Sequence, residues 1–141
     1  EDEQHGYALF KSYGCTTCHQ GANVGGNMFA PLGVTLNAGG NMFAPLGMTM
    51  DYFSSKASHE PDHGQAAVIG NGGGTQVFRV ASLRLAARTA PYLHDGSVAT
   101  LDRAIKLMGE SQLGVDIPPG ERRQIAAFLE SLVGRYGGRD L

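Results

Sequence analysis

The chain has 141 residues, the length of one domain, and is long enough to bury roughly two-thirds of its unfolded surface in a core. A formal net charge of −2 without a basic stripe argues against nucleic acid, and no apolar run approaches membrane-spanning length. Only two cysteines are present, too few for a disulfide framework or a four-cysteine metal site.

The chain opens Glu1-Asp2-Glu3-Gln4, with no signal-peptide pattern, and reads as a mature terminus whose signal peptide is already removed. Acidic Asp2 and Glu3 suit the N-terminus of a helix over Gly6-Tyr7-Ala8-Leu9-Phe10-Lys11. Leu9 and Phe10 would cover one face of it, Gly6 lies one turn before Phe10, and His5 is a surface position.

Both cysteines fall in Cys15-Thr16-Thr17-Cys18-His19, the attachment signature of a c-type haem. Its spacing has a chemical reason. Both thiols must reach the two vinyl groups of one porphyrin. The adjacent histidine then lies under the ring and offers an imidazole nitrogen to iron. Its other ring nitrogen should donate to a backbone carbonyl, which fixes the tautomer. A redox dithiol of the thioredoxin kind is the rival reading, but it needs a βαβ pattern that is absent here. Covalent haem attachment is completed outside the cytoplasm, which places the protein in a bacterial periplasm.

Residues 20–75 are rich in glycine and weakly periodic. Within them Gly25-Gly26-Asn27-Met28-Phe29-Ala30-Pro31-Leu32-Gly33 recurs as Gly39-Gly40-Asn41-Met42-Phe43-Ala44-Pro45-Leu46-Gly47. Two copies do not make a solenoid. The expectation is a tandem repeat, spanning 25–52, inserted in a surface loop of a single domain 1–141. The sharper alternative is an added structural element or interface. Gly70-Asn71-Gly72-Gly73-Gly74 reads as a further loop.

The last third holds two helices. Thr100 caps one over Leu101–Met108, with Leu101, Ala104, Ile105 and Met108 on one face and Gly109 as terminator. The other starts at Pro118-Pro119-Gly120-Glu121 and runs to about Val133, with Ile125, Phe128, Leu129 and Leu132 as its apolar stripe. Nothing reads as a sustained strand. The fold class is mostly α: a cytochrome c-like helical domain wrapped around one covalent haem, with long glycine-rich loops.

Three phrases now stand in order after the haem motif: Phe78-Arg79-Val80-Ala81-Ser82-Leu83-Arg84, then Thr89-Ala90-Pro91-Tyr92-Leu93-His94-Asp95-Gly96-Ser97, then Met108 with Gln112-Leu113-Gly114. Together they resemble the C-terminal half of bacterial di-haem cytochrome c peroxidases, from Gly6 to about Gly134. In that family this half transfers electrons, and its haem has His and Met as axial ligands. The resemblance implies His19 and Met108 as the iron ligands here. Met28, Met42, Met48, Met50, His59 and His63 are the alternatives for the second position. It also implies a role for His94 near the haem. Arg79 and Arg84 are candidates to neutralise haem propionates, since guanidinium matches carboxylate. Thr89 and Pro91 match positions whose carbonyls serve a calcium site between the family's two domains. Half of that site would come from the other domain, so tight calcium binding is not expected. The chain departs from the family in having one haem motif rather than two, Ala81 for the usual Pro, Leu93 for the usual Phe, and the extra repeat.

The expected function is a periplasmic mono-haem cytochrome passing single electrons to small redox proteins over a small, transient surface. Peroxide reduction is expected only within a di-haem assembly. The remaining alternatives are an electron-input domain, fragment or subunit of such a peroxidase and a haem-based sensor of small ligands. Nothing in the sequence stands against a homodimer.

Overall fold

A computed structural model describes residues 1–27, 29–31, 77–93 and 95–140. Three α-helices carry the described fold. Helix α1 is Asp2–Ser12, with acidic residues in its first turn and Lys11 in its last, matching the helix dipole at both ends. Helix α2 is Leu101–Met108, and the Thr100 hydroxyl oxygen accepts the Arg103 N–H at 3.3 Å, as its capping role requires. Helix α3 is Pro119–Ser131, with proline at its start where no N–H is needed.

Helices α1 and α3 cross at Gly6. A methyl group there would lie 1.8 Å from the Gln124 carbonyl oxygen, so only glycine permits this approach. Phe10 and Phe128 then meet with ring centroids 5.2 Å apart, and Tyr7 lies 5.1 Å from Phe128. The main core joins Phe10, Ile105, Ile117, Ile125, Phe128 and Leu129, so it draws on all three helices. Cys15, Val24 and Leu83 pack on its edge, which anchors the cysteine motif and its neighbours to the core. A smaller cluster of Val98, Ala104 and Leu107, with Tyr92 and Leu93 against it, packs the 92–98 turn onto α2. That turn is closed by a bridge between Tyr92 and Val98. Arg122 fixes α3 to α2, donating to both Asp102 carboxylate oxygens (2.8 and 3.3 Å) and to the Ile117 carbonyl (2.7 Å).

Strands are minor among the described residues. β1 (Phe29–Pro31) pairs antiparallel with β2 (Val77–Arg79), and β3 (Arg135–Tyr136) pairs with β4 (Arg139–Asp140). The mostly helical class holds. β1 lies in the first copy of the repeat, so residues 29–31 of that copy pair with the framework. The second copy lies outside the described residues.

Gly109 does not end α2. Its φ is −57°, and the chain runs on through wide π-helical turns over Gly109–Leu113 to Gly114, whose φ of +68° makes the left-handed stop. The glycine at 109 answers to a close approach: a Cβ there would sit 2.9 Å from the Val115 carbonyl oxygen and 3.0 Å from the Ile117 side chain. The Ser111 hydroxyl donates to the Leu107 carbonyl at 2.6 Å and satisfies one acceptor in the widened turn. No helix among the described residues is long and apolar enough to cross a membrane.

Candidate functional site

Helix α1 hands the chain to the cysteine motif through Tyr13 and Gly14. The Gly14 N–H donates to Lys11 O at 3.0 Å, and a φ of +85° turns the chain into a short 3-10 helix, Cys15–Thr17. Cys18 and His19 donate their N–H groups back to Cys15 O at 3.3 and 3.0 Å. The motif is therefore one tight turn that carries both thiols and the imidazole. Tyr13 braces it against α3 by donating to a Glu121 carboxylate oxygen at 2.5 Å, a bond that pushes the phenol up to about 12.

Burial pushes the Cys15 thiol up to about 11 and also raises Cys18. A reactive dithiol needs a lowered pKa, so this pair is badly placed for thiol–disulfide exchange at neutral pH.

His19 Nδ1 lies 3.1 Å from the Ala81 carbonyl oxygen. A carbonyl only accepts, so Nδ1 carries the hydrogen and Nε2 keeps its lone pair. Burial holds the imidazolium below its ordinary pKa, partly offset by the carbonyls of Ala81 and Val24. A neutral imidazole with one nitrogen occupied and one free is the form that ligates a metal.

The Ala81 carbonyl is held in place by a clasp between residues 22–26 and 79–84. The Gly26 N–H donates to Val80 O (2.8 Å) and Leu83 N–H to Val24 O (3.1 Å). The Ser82 hydroxyl donates to Asn23 O at 2.7 Å. Arg84 Nε donates to Ala22 O at 2.8 Å, while Arg79 Nε and Nη2 both donate to Gly26 O at 3.1 and 2.8 Å. Val24 carries a left-handed φ of 49°, costly for a β-branched residue, while its side chain packs on the core. At Gly25, φ is +126° and a Cβ would lie 2.1 Å from Ala81 O and 3.1 Å from His19 Nδ1. The approach that serves the histidine thus excludes any side chain at 25.

The structure brings Cys15, Cys18, His19, Arg79 and Arg84 into one neighbourhood. Both arginines, expected at propionates, donate to backbone carbonyls of the clasp. Met108 stands apart in the chain, half-buried at the junction of α2 with the π turns, and is a member of neither apolar cluster. His94 lies outside the described residues, as do Met28, Met42, Met48, Met50, His59 and His63. The Thr89 hydroxyl donates to Ala86 O at 3.3 Å, and Pro91 is exposed. Among the described residues no three His, Cys, Asp or Glu side chains converge on a metal position.

The residues present fit a covalent haem. Two thiols and a tautomer-fixed neutral imidazole occupy one turn on the edge of the core. In addition, two buried polar atoms, Ser97 Oγ and Gln112 Nε2, have no protein partner. Such atoms normally find one, and these two lie in the His94 and Met108 phrases. The residues that sequence reasoning missed are Gly25, Val24 and Ala81. The signal for the last was the Phe78–Arg84 phrase, whose backbone, rather than its arginines, reaches the histidine.

No protein-family model matches the chain. Curated relatives do. It is 37% identical over 134 residues to a cytochrome c551 peroxidase of Nitrosomonas europaea, covering 95% of this chain and 35% of that protein. It is 35% identical to the cytochrome c551 peroxidase of Pseudomonas aeruginosa, covering 94% of this chain and 34% of that protein. For the cytochrome c peroxidase Ccp of Escherichia coli the identity is 38%, over 95% of this chain and 26% of the relative. The chain thus spans about a third or less of the curated relatives it matches. A solved structure of a MauG-like protein associated with microbial copper homeostasis superposes with a TM-score of 0.66 at 25% identity, over 94% of this chain and 46% of that one.

Proposed function

We propose that this chain, related over nearly its whole length to a segment of the bacterial cytochrome c peroxidases, is a periplasmic mono-haem electron-transfer domain. Cys15 and Cys18 would hold the haem as thioethers, and His19 Nε2 and Met108 would be the side chains that hold its iron. Bound there, the haem supplies one-electron chemistry, with iron alternating between its two oxidation states. The protein's part is to hold and insulate. The clasp keeps the His19 ring in one orientation and one tautomer. Phe10, with its ring centroid 6.4 Å from that of His19, limits water on its side of the ring. Partners would be small redox proteins. The observation that carries this reading is the His19 Nδ1–Ala81 bond, because it leaves a neutral imidazole with its lone pair free beside the two sulfurs.

A second reading is favoured by one fact, that the chain spans about a third of its peroxidase relatives. On that reading it is the electron-input segment or subunit of a di-haem peroxidase, with peroxide consumed at the other haem. One experiment separates the two. Oxidised and reduced optical spectra of the isolated chain are recorded, then peroxide is added with a reduced donor. The carrier reading expects a low-spin haem with a sulfur-to-iron band and negligible turnover. Turnover at ordinary enzyme rates, roughly 1–10³ per second, would overturn it and make the chain an enzyme by itself. Turnover restored only by adding a second haem-bearing segment would support the input-segment reading.

A further inference from the structure

We infer that Gly25, Arg79 and Arg84 are positioning residues that set the reduction potential through the His19 ring, and that the two arginines act on backbone carbonyls rather than on haem carboxylates. The inference rests on the proposed haem reading and assigns residues within it.

The argument starts from where the hydrogen bonds go. With His19 Nε2 offered to iron as proposed, its basicity depends on what Nδ1–H meets on the other side of the ring. Here it meets Ala81 O at 3.1 Å. That carbonyl belongs to an irregular, exposed stretch and would wander if nothing held it. What holds it is the clasp. Arg79 sits two residues before Ala81 and grips Gly26 O through two N–H groups. Arg84 sits three residues after it and grips Ala22 O. The two guanidinium groups therefore pin both ends of the segment that presents Ala81, and charge-assisted bonds to carbonyls are among the stronger ones available. Gly25 lies between the two gripped carbonyls. Its missing side chain leaves the space that Ala81 O fills, since a Cβ at 2.1 Å from that oxygen would force it away.

The sign of the effect follows. Donation from Nδ1 raises imidazole basicity and favours the oxidised iron; losing the acceptor favours the reduced iron. A role at propionates predicts the reverse for loss of a positive charge, because removing a cation beside the haem disfavours adding an electron.

The test is the midpoint potential of the holoprotein, measured with the NMR signal of the His19 Nδ1 hydrogen. Gly25→Ala should raise the potential, shifting the reduction equilibrium by about tenfold, ~59 mV for one electron. The same variant should speed exchange of the Nδ1 hydrogen with solvent. Arg79→Lys and Arg84→Lys keep the charge but lose the two-pronged grip on Gly26 O and the Nε bond to Ala22 O respectively, and should shift both readouts in the same direction by less. These two keep the inference testable if Gly25→Ala does not yield folded protein. An unchanged potential in both lysine variants, with a lowered one in Arg84→Gln, would overturn the inference and restore the propionate role. A chain that takes up no covalent haem at all would instead sink the proposed function, which separates the two failures.

Discussion

Around His19 the chain closes on itself: two segments far apart in sequence bond carbonyl to N–H and carbonyl to guanidinium until one oxygen is left with one place to be. Around Met108 the described residues show no comparable set of bonds. The methionine stands where a regular helix widens into π turns, half-buried, with a glycine next to it and, four residues on, the buried Gln112 Nε2, which finds no protein partner. The histidine side is held by hydrogen bonds between described segments. The methionine side sits on widened helical turns, which are frequent at functional sites. The difference teaches where substitutions should read out: on the first side as changes in potential with the ligand retained, on the second as changes of the ligand itself.

The largest effect tests the premise that both sides share one covalent group. The parent protein should carry a single added haem by mass spectrometry, and denaturation should not release it. Replacing Cys15 and Cys18 together by Ser should abolish that added mass. A zinc-bound or haem-free parent would end the comparison altogether.

The next effect separates the two sides. Met108→Ala should convert the oxidised haem toward high spin, lower the potential and admit small ligands, while the His19 Nδ1 hydrogen stays protected. Met108→His should keep low spin and still lower the potential. If the far-red sulfur-to-iron band survives Met108→Ala, the ligand is elsewhere, with Met28, Met42, His59 and His63 next in line.

A smaller effect sharpens the account of the methionine side. At Gly109→Ala the new methyl group meets the Val115 carbonyl at 2.9 Å and Ile117 at 3.0 Å, so the junction must shift. Overpacking of this kind costs about 1–3 kcal/mol. Thermal unfolding should show the loss, and the far-red band should weaken or move while the potential-setting hydrogen bond of His19 is untouched. A band identical to the parent's would mean that Met108 does not depend on the π turns for its seat.

Gly109 also shows how far the sequence could be read. Thr100 announced the start of α2 and Pro119 that of α3 because caps are local chemistry, decided within one turn. A glycine after an apolar stripe has two physical uses, a left-handed stop or room for a neighbour, and its own identity does not distinguish them. Val115 and Ile117 decide it, and they return to that point only after the chain has turned. The same limit applied to Arg79 and Arg84. Their charge suggested a carboxylate partner, and nothing in it announced the carbonyls they also meet, in a loop some fifty to sixty positions earlier. The acceptor for His19 Nδ1 was legible only as a class of partner, because an imidazole offered to a metal normally donates its other N–H to a carbonyl, carboxylate or water. That Ala81 supplies it, and that Gly25 must be bare for it to do so, required the pairing of two irregular segments, which leaves no periodic trace.

The smallest effect should come from the largest deletion. Removing Gly25 through Ala38 takes out the residues of the clasp loop that touch the histidine's partner, which on its face should destroy the histidine side. The repeat predicts otherwise. After the deletion Val24 is followed by Gly39-Gly40-Asn41-Met42-Phe43-Ala44-Pro45, the same residues in the same order as Gly25–Pro31. Asn23 and Val24 stay, so every residue from 22 onward that the clasp uses is restored by type: a bare glycine against Ala81 O, a second glycine carbonyl for Arg79, and Phe-Ala-Pro to pair with β2. The loop back to β2 shortens by one repeat unit, and loop length enters stability only through its logarithm, a change of about 0.3 kcal/mol. Covalent haem, the potential and the unfolding temperature should therefore stay close to the parent's, while Gly25→Ala in the full chain changes the potential. Loss of haem in the deletion variant would show that the two copies are not equivalent, and that the 14 residues do more than repeat the clasp.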